Sequence, residues 1–188
     1  MYRAIKNTET EVFVVDNCST DDSLEMLRQS YPEIKLIANS ENLGFAKANN
    51  LAIEASESDY VLLLNPDTLV QEEAIRNMLS FMDAHPEAGA LGVKMIDGRG
   101  RFLAESKRGL PTPAVSFYKI SGLSALFPRS RRFGRYHLGW LDKDKIHSVE
   151  ILAGACMLVR REAIIKAGLL DENFFMYGED IDWSYRIL

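Results

Sequence analysis

Short apolar runs separated by polar, turn-forming stretches set the rhythm of this chain. "EVFVVD" (11–16) is apolar and β-branched, the pattern of a buried parallel strand. It breaks at "NCSTDDS", where Asp22 and Glu25 have capping-box spacing. Leu24, Leu27 and Tyr31 then recur at helical spacing until Pro32. "IKLIA" (34–38) predicts a second strand, and "FAKANNLAIEA" (45–55) a helix with Phe45, Ala48, Ala52 and Ala55 on one face. "DYVLLL" (59–64) reads as a third, fully buried strand that stops on Asn65-Pro66-Asp67. Thr68 is placed to cap the next helix, whose stripe is Ile75, Met78, Leu79 and Met82, with His85-Pro86 closing it. "AGALGVKMI" (88–96) predicts a fourth strand.

Strands alternating with helices in this way predict an α/β domain whose sheet is mixed and mostly parallel at its start. In such sheets ligands bind beyond the carboxyl ends of the strands, where both Asp16 and Asp67 fall. The pattern changes after residue 96. Residues 97–148 are rich in Gly, Pro, Arg and aromatics, with a hairpin near 99–105 and a long irregular excursion of the kind that binds substrate or forms a lid. "VEILAGACMLVRR" (149–161) predicts one or two strands, and "EAIIKAG" a short helix ending at Gly168.

Length and composition narrow the class. The 188 residues suit one domain, and 47% hydrophobic with 26% charged residues is ordinary for a globular chain. The net charge of −5 disfavours nucleic acid as a partner. Cys18 and Cys156 have no ligand-spaced neighbours, which argues against structural zinc and fits a reducing compartment; both read as small core residues. His85, His137 and His147 show no ligand spacing either. No apolar stretch nears the ~20 residues of a membrane span, and the start lacks a signal-peptide core, so the chain reads as cytoplasmic.

Two constellations offer chemistry. Asn-Pro-Asp is common in ordinary turns, but behind an apolar strand an acid has a fixed position and suits an oxygen-ligated Mg²⁺ or Mn²⁺ holding a diphosphate. "FFMYGEDIDWSYR" (174–186) crowds Glu179, Asp180 and Asp182 beside Gly178 and several aromatics. These acids either complement the N-terminus of a helix starting near Glu179 or supply a general base. Phe174, Phe175 and Trp183 read as core, Trp183 also as a sugar-stacking surface. "FPRSRRFGR" (127–135) is the one basic cluster, either solvated surface or a contact for an anionic partner.

"VVDNCSTDDS", "ENLGFAKANN", "LLLNPDT", "LAGACMLVRREAI" and "FFMYGEDIDWSYR", in this order, resemble glycosyltransferase family 2, and within it the rhamnosyltransferase-like enzymes of cell-surface polysaccharide synthesis. The resemblance runs from residue 12 to 186. It implies the GT-A fold, a dTDP- or UDP-sugar donor, a divalent cation and transfer, with inversion, to a hydroxyl of a glycan or lipid-linked acceptor. It also implies a nucleotide-sugar half at 1–96 and an acceptor and catalytic-base half at 97–188. Carried over by position, Asp16, Asn17, Gly44, Lys47 and Asn49 line the donor pocket. Asp67 matches the last acid of the metal-binding motif, with Asn65 in place of its first acid. Asp180 matches the catalytic base, with Glu179 beside it. The basic cluster then becomes a contact for a lipid-diphosphate acceptor or for the inner face of the membrane.

Members of the family open with a strand of the type "VSVIIVNYN", whereas this chain opens "MYRAIKNTETEVFVV", like the tail of the helix that follows it, and closes "DWSYRIL" inside a helix. The expectation is a domain truncated at both ends, with its first strand missing, weakened in donor binding and open to pairing with a second copy. A non-catalytic remnant is the alternative. A sugar-1-phosphate nucleotidyltransferase fits less well, lacking a Gly-rich basic N-terminal loop for a triphosphate.

Overall fold

The computed structural model describes residues 3–6 and 8–188. Residues 3–6 form a turn, with the Thr8 N–H donating to Ile5 O (3.0 Å); Met1, Tyr2 and Asn7, which complete the expected helix tail, lie outside the described residues. In chain order the elements are β1 (Phe13–Asp16), α1 (Ser23–Ser30), β2 (Lys35–Ala38), α2 (Gly44–Glu54), β3 (Tyr60–Leu64), α3 (Ala74–Ala84) and β4 (Ala90–Gly92). After the excursion, which carries α4 (Pro113–Ile120) and α5 (Leu123–Leu126), come β5 (Cys156–Arg160), α6 (Arg161–Ala167) and α7 (Glu179–Ile187).

The strands form two hydrogen-bonded groups. β1 pairs in parallel with β2, in the register Phe13↔Lys35 to Asp16↔Ala38. β5 lies between β3 and β4 and is antiparallel to both. The sheet is mixed as expected, but among the described residues parallel pairing is confined to β1–β2, because the strand joining β3 to β4 arrives late and from the opposite direction. Asp16 and Asp67 therefore follow strands of different groups rather than sharing one sheet edge. β3 is also less enclosed than its sequence suggests. Paired on one side only among the described residues, it buries Leu63 and covers its other residues in part.

Most of the core lies around β5. Met157 and Val159 pack with Ala46, Ile53, Leu63, Ile164, Leu170 and Trp183, while Cys156 and Leu158 meet Met78 and Met82 of α3. The predicted α3 stripe is thus buried at Ile75, Met78 and Met82, with Leu79 packed beside it. Trp183 is a core residue and donates its indole N–H to Gly168 O (2.8 Å). Gly168 ends α6 at φ +80°, a left-handed conformation that suits glycine.

Two arginines at the β5–α6 junction tie the helices together. Arg160 donates to Met82 O, His85 O and Ala88 O, carbonyls at and just beyond the end of α3. Arg161 donates to Ile53 O near the end of α2 and to Ser58 O. Carbonyls left over at helix ends need such donors. Buried Asn50 clamps α2 to the segment after α6, donating to Leu170 O (2.9 Å) and accepting from the Leu170 N–H (3.1 Å).

Several local expectations are replaced by other contacts. Asp22 makes no side-chain cap; Asp21 instead accepts from the Ser23 N–H, and α1 buries nothing. Thr68 does not cap α3, which starts six residues later; its N–H closes the Asn65–Thr68 turn. The fourth strand shortens to three residues, and the hairpin turns at Asp97–Gly100 with an Ile96↔Phe102 bridge. The excursion is not wholly irregular. Thr112 caps α4 by accepting from the Val115 N–H, with Pro113 at its first turn. Cys18 is exposed at φ +67°, and Phe175 is exposed too, so neither is core.

Asn50→Ala orphans the N–H and C=O of Leu170, both buried. The expected loss is roughly 2–6 kcal/mol, from about 1–3 kcal/mol for each of the two unsatisfied groups; the shift of the urea midpoint measures it.

Candidate active site

The site assembles around the segment that leads into β5. Arg108 and Ile151 form an antiparallel bridge, which fastens the excursion to this segment. The bridge delivers the Arg108 guanidinium to Asp180 at the start of α7, Nη2 to Oδ2 at 2.5 Å, and the same nitrogen donates to Leu152 O at 2.9 Å. The Gly154 N–H also donates to Asp180 Oδ2 (3.3 Å). Asp180 Oδ1 carries no hydrogen bond among the described residues. Ala155, next in sequence, accepts from the Asn65 N–H (3.0 Å) and so fixes the turn that carries Asp67. One dipeptide thereby holds both acid-bearing elements.

A second set of contacts joins the β1 end to this junction. Asp16 is buried and accepts the Ser19 N–H at 3.0 Å. Asn17 donates to Gly44 O and accepts from Asn39 Nδ2, both at 3.0 Å. Gly44 opens α2 at φ +79°, and a Cβ there would stand 2.4 Å from Phe175 O; its neighbour Phe45 donates its N–H to that same carbonyl (2.9 Å). The Phe45 ring lies near Gly154. Asp16, Asn17, Gly44, Asn65 and Asp180 thus belong to one connected set of contacts.

Other expected residues stand apart from it. Asn49 donates to Phe45 O within its own helix, and Lys47 is exposed on the first turn of α2. Asp67 is exposed on its turn and has neither a hydrogen bond nor an ion pair among the described residues. No group of three or more metal-ligating side chains exists among the described residues. Asp182 pairs with Arg186, which also donates to Leu169 O, so that acid holds α7 to the end of α6.

Glu179 differs from Asp180 although they are adjacent. It is buried, and its Oε2 has no partner. Burial pushes its pKa above the usual carboxylate range, opposed by its own backbone N–H; Asp180 pushes it further up and Arg108 opposes. His137 is also part-buried with an unpartnered Nδ1, and burial, helped by Lys119, pulls its pKa down.

Sequence reasoning missed Arg108, which sits in a stretch without periodicity and finds its partner 72 residues away. It also read Phe174 and Phe175 as core. Instead Phe175, Met176 and Tyr177 are exposed before α7, and Tyr177 (φ +68°) and Gly178 (φ +101°) both have left-handed backbone. A tyrosine in that region is strained, and such strain clusters at functional sites.

Comparison with known proteins fits this architecture. TarS of S. aureus, solved in complex with UDP, superimposes with a TM-score of 0.59 at 22% identity, over 94% of this chain and 45% of that one. The mannosyltransferase PcManGT from Pyrobaculum calidifontis, in complex with GDP-Man and Mn²⁺, gives 0.59 at 21% identity, over 93% and 41%. The fold is the GT-A fold of glycosyltransferases. Residues 2–168 match glycosyl transferase family 2, and the chain belongs to that family. The N-acetylglucosaminyl-diphospho-decaprenol L-rhamnosyltransferase of Mycobacterium tuberculosis is 32% identical over 94% of this chain and 60% of its own length. The low-salt glycan biosynthesis hexosyltransferase Agl10 of Haloferax volcanii is 29% identical over 94% and 52%. The chain spans about half to three-fifths of these relatives.

The Glu179 carboxyl gives the protein a pH signature. Its folded pKa exceeds the unfolded value of about 4.3, so between the two the folded state binds more protons and stability falls as pH rises. Glu179→Gln should remove that component and stabilise the fold increasingly above about pH 4.3, as read by urea denaturation at several pH values. A variant whose advantage does not change with pH would overturn the assignment.

Proposed function

We propose that the chain carries the donor-binding and catalytic face of an inverting glycosyltransferase. It moves a hexose, with rhamnose the first candidate, from a nucleoside-diphospho-sugar to a hydroxyl of a glycan or lipid-linked acceptor. The observation that carries this reading is the Gly154–Ala155 junction, which hydrogen-bonds both the Asp180 carboxylate and the Asn65 N–H that opens the Asp67 turn. The mycobacterial relative, which acts on N-acetylglucosaminyl-diphospho-decaprenol, supports the sugar and the lipid-linked acceptor.

The residues divide the work. Asp16 and Asn17 meet the nucleoside, a buried carboxylate and an amide fixed by Gly44 and Asn39 being suited to base and ribose donors and acceptors. Gly44 allows the backbone approach between α2 and the Phe175 loop, and Lys47 and Asn49, which the resemblance assigns to the donor, lie on the same helix. Asp67, with Asn65 beside it, offers one free carboxylate; this fits a Mg²⁺ or Mn²⁺ whose other ligands come from the diphosphate and water, as these ions accept. Such an ion neutralises the leaving diphosphate when bound.

Asp180 takes the proton from the acceptor hydroxyl. Arg108 and the Gly154 N–H fix Oδ2, which aims the unencumbered Oδ1 at the incoming oxygen. Burial shifts the adjacent Glu179 carboxyl toward its neutral form, which lessens the negative charge beside Asp180. Arg108 is a positioning residue, since it acts through Asp180.

Calorimetric titration with UDP and dTDP, with and without Mn²⁺, tests the donor site, and donor hydrolysis or transfer tests the base. Expected is cation-dependent binding that Asp67→Ala weakens at least about ten-fold. Asp180→Asn should bind donor normally and lose about 10²–10⁴ in turnover. Binding indifferent to the cation and to Asp67→Ala would sink the donor site; full turnover in Asp180→Asn would transfer the base role to Glu179.

A further inference from the structure

The excursion carries exposed apolar side chains together with a cluster of arginines. Residues 106–141 contain seven Lys and Arg and no Asp or Glu, in a chain whose net charge is −5, so the two signs are segregated along the sequence. On α4, Val115 faces inward while Phe117 and Ile120 share the opposite side, 61% and 87% exposed. Leu126 and Phe127, at the end of α5, are 69% and 48% exposed. Isolated exposed apolar residues are ordinary, but four on two contacting helices mark an interaction surface.

Aromatic contacts fasten the basic loop to these helices. Phe133 packs edge-on against Tyr118 (5.0 Å between centroids) and tilted against Phe127 (5.7 Å). Arg132 lies over the Phe133 ring and donates to Tyr118 Oη (3.2 Å). Arg129 and Arg131 are exposed and have no hydrogen bond or ion pair for their guanidinium groups among the described residues. The surface therefore offers bulky apolar side chains and unpaired cations from a held scaffold.

We propose that this face docks on an anionic lipid bilayer. Phe117, Ile120, Leu126 and Phe127 enter the boundary between headgroups and acyl chains, and Arg129, Arg131 and Arg132 meet the lipid phosphates. A bilayer with anionic headgroups matches both halves of the surface, apolar depth for the side chains and negative charge for the arginines. No helix among the described residues is long and apolar enough to cross a membrane, so the contact is peripheral for this part of the chain. The proposal goes beyond glycosyl transfer, with which it shares only the notion of a lipid-linked acceptor.

Co-sedimentation of the chain with vesicles of phosphatidylcholine, alone or mixed with phosphatidylglycerol, tests it without donor or acceptor present, so it and the transfer reading fail independently. Expected is binding to the mixed vesicles that falls with added salt. Arg129→Glu with Arg131→Glu should weaken it roughly ten-fold or more, and Phe117→Ser with Ile120→Asp should do so while far-UV circular dichroism stays unchanged. No binding to mixed vesicles, or binding that neither variant alters, overturns the proposal. So does a dimeric mass by light scattering that Phe117→Ser with Ile120→Asp converts to a monomer, since the face would then cover a second copy.

Discussion

The insertion of β5 between β3 and β4 is the constraint on which the rest of the molecule depends. Met157 and Val159 point into one cluster and Cys156 and Leu158 into the other, so one strand supplies both faces of the core. Its far end places Arg160 and Arg161 on carbonyls near the ends of α3 and α2, which need donors they cannot find within their own helices. The approach to the strand holds Asn65 and Asp180 through successive residues. Stability and the proposed chemistry are thus coupled. Whatever shifts β5 along its neighbours also shifts the geometry between the Asp67 turn and Asp180.

Adjacent acids on one helix have been given different surroundings. Asp180 has an arginine and a backbone N–H; Glu179 has neither for its Oε2 and is buried. Placing neighbouring carboxyls in different surroundings is a recurring means of assigning distinct roles to chemically similar groups. The third acid, Asp182, is engaged with Arg186 and holds helices together. Crowding of acids in the sequence did not distinguish these three fates, because Asp180 meets an arginine 72 residues away and the burial of Glu179 is set by the tertiary fold.

The first half of the fold was well marked. Apolar runs and stop signals located β1, β2, β3 and α2 to within a few residues and gave the core stripe and end of α3, and the order of motifs identified the family. Pairing partners were not legible, since a run such as "YVLLL" reads the same whether its neighbour is parallel or antiparallel. The half-open state of β3 follows from that pairing and was missed with it. In the excursion a real signal, Thr112-Pro113 ahead of α4, was masked by surrounding Gly and Pro. For the proposed site, Asp180 as base and Asp67 as metal-motif acid entered only through the family resemblance. Arg108 and Asn50 were not legible, because their hydrogen bonds span 72 and 120 residues.

That separation has a consequence during synthesis. β3 leaves the ribosome 100 residues ahead of Arg160, with which Tyr60 is in register. At ordinary elongation rates, about 5–20 residues per second, its apolar edge waits roughly 5–20 s for the strand that covers it. An uncovered strand edge of this kind is a template for wrong pairing with other chains. The nascent protein must therefore pass through an interval in which Tyr60–Leu64 depends on chaperones, or on its own loose collapse against α2, and slower translation would lengthen that exposure without changing the folded molecule.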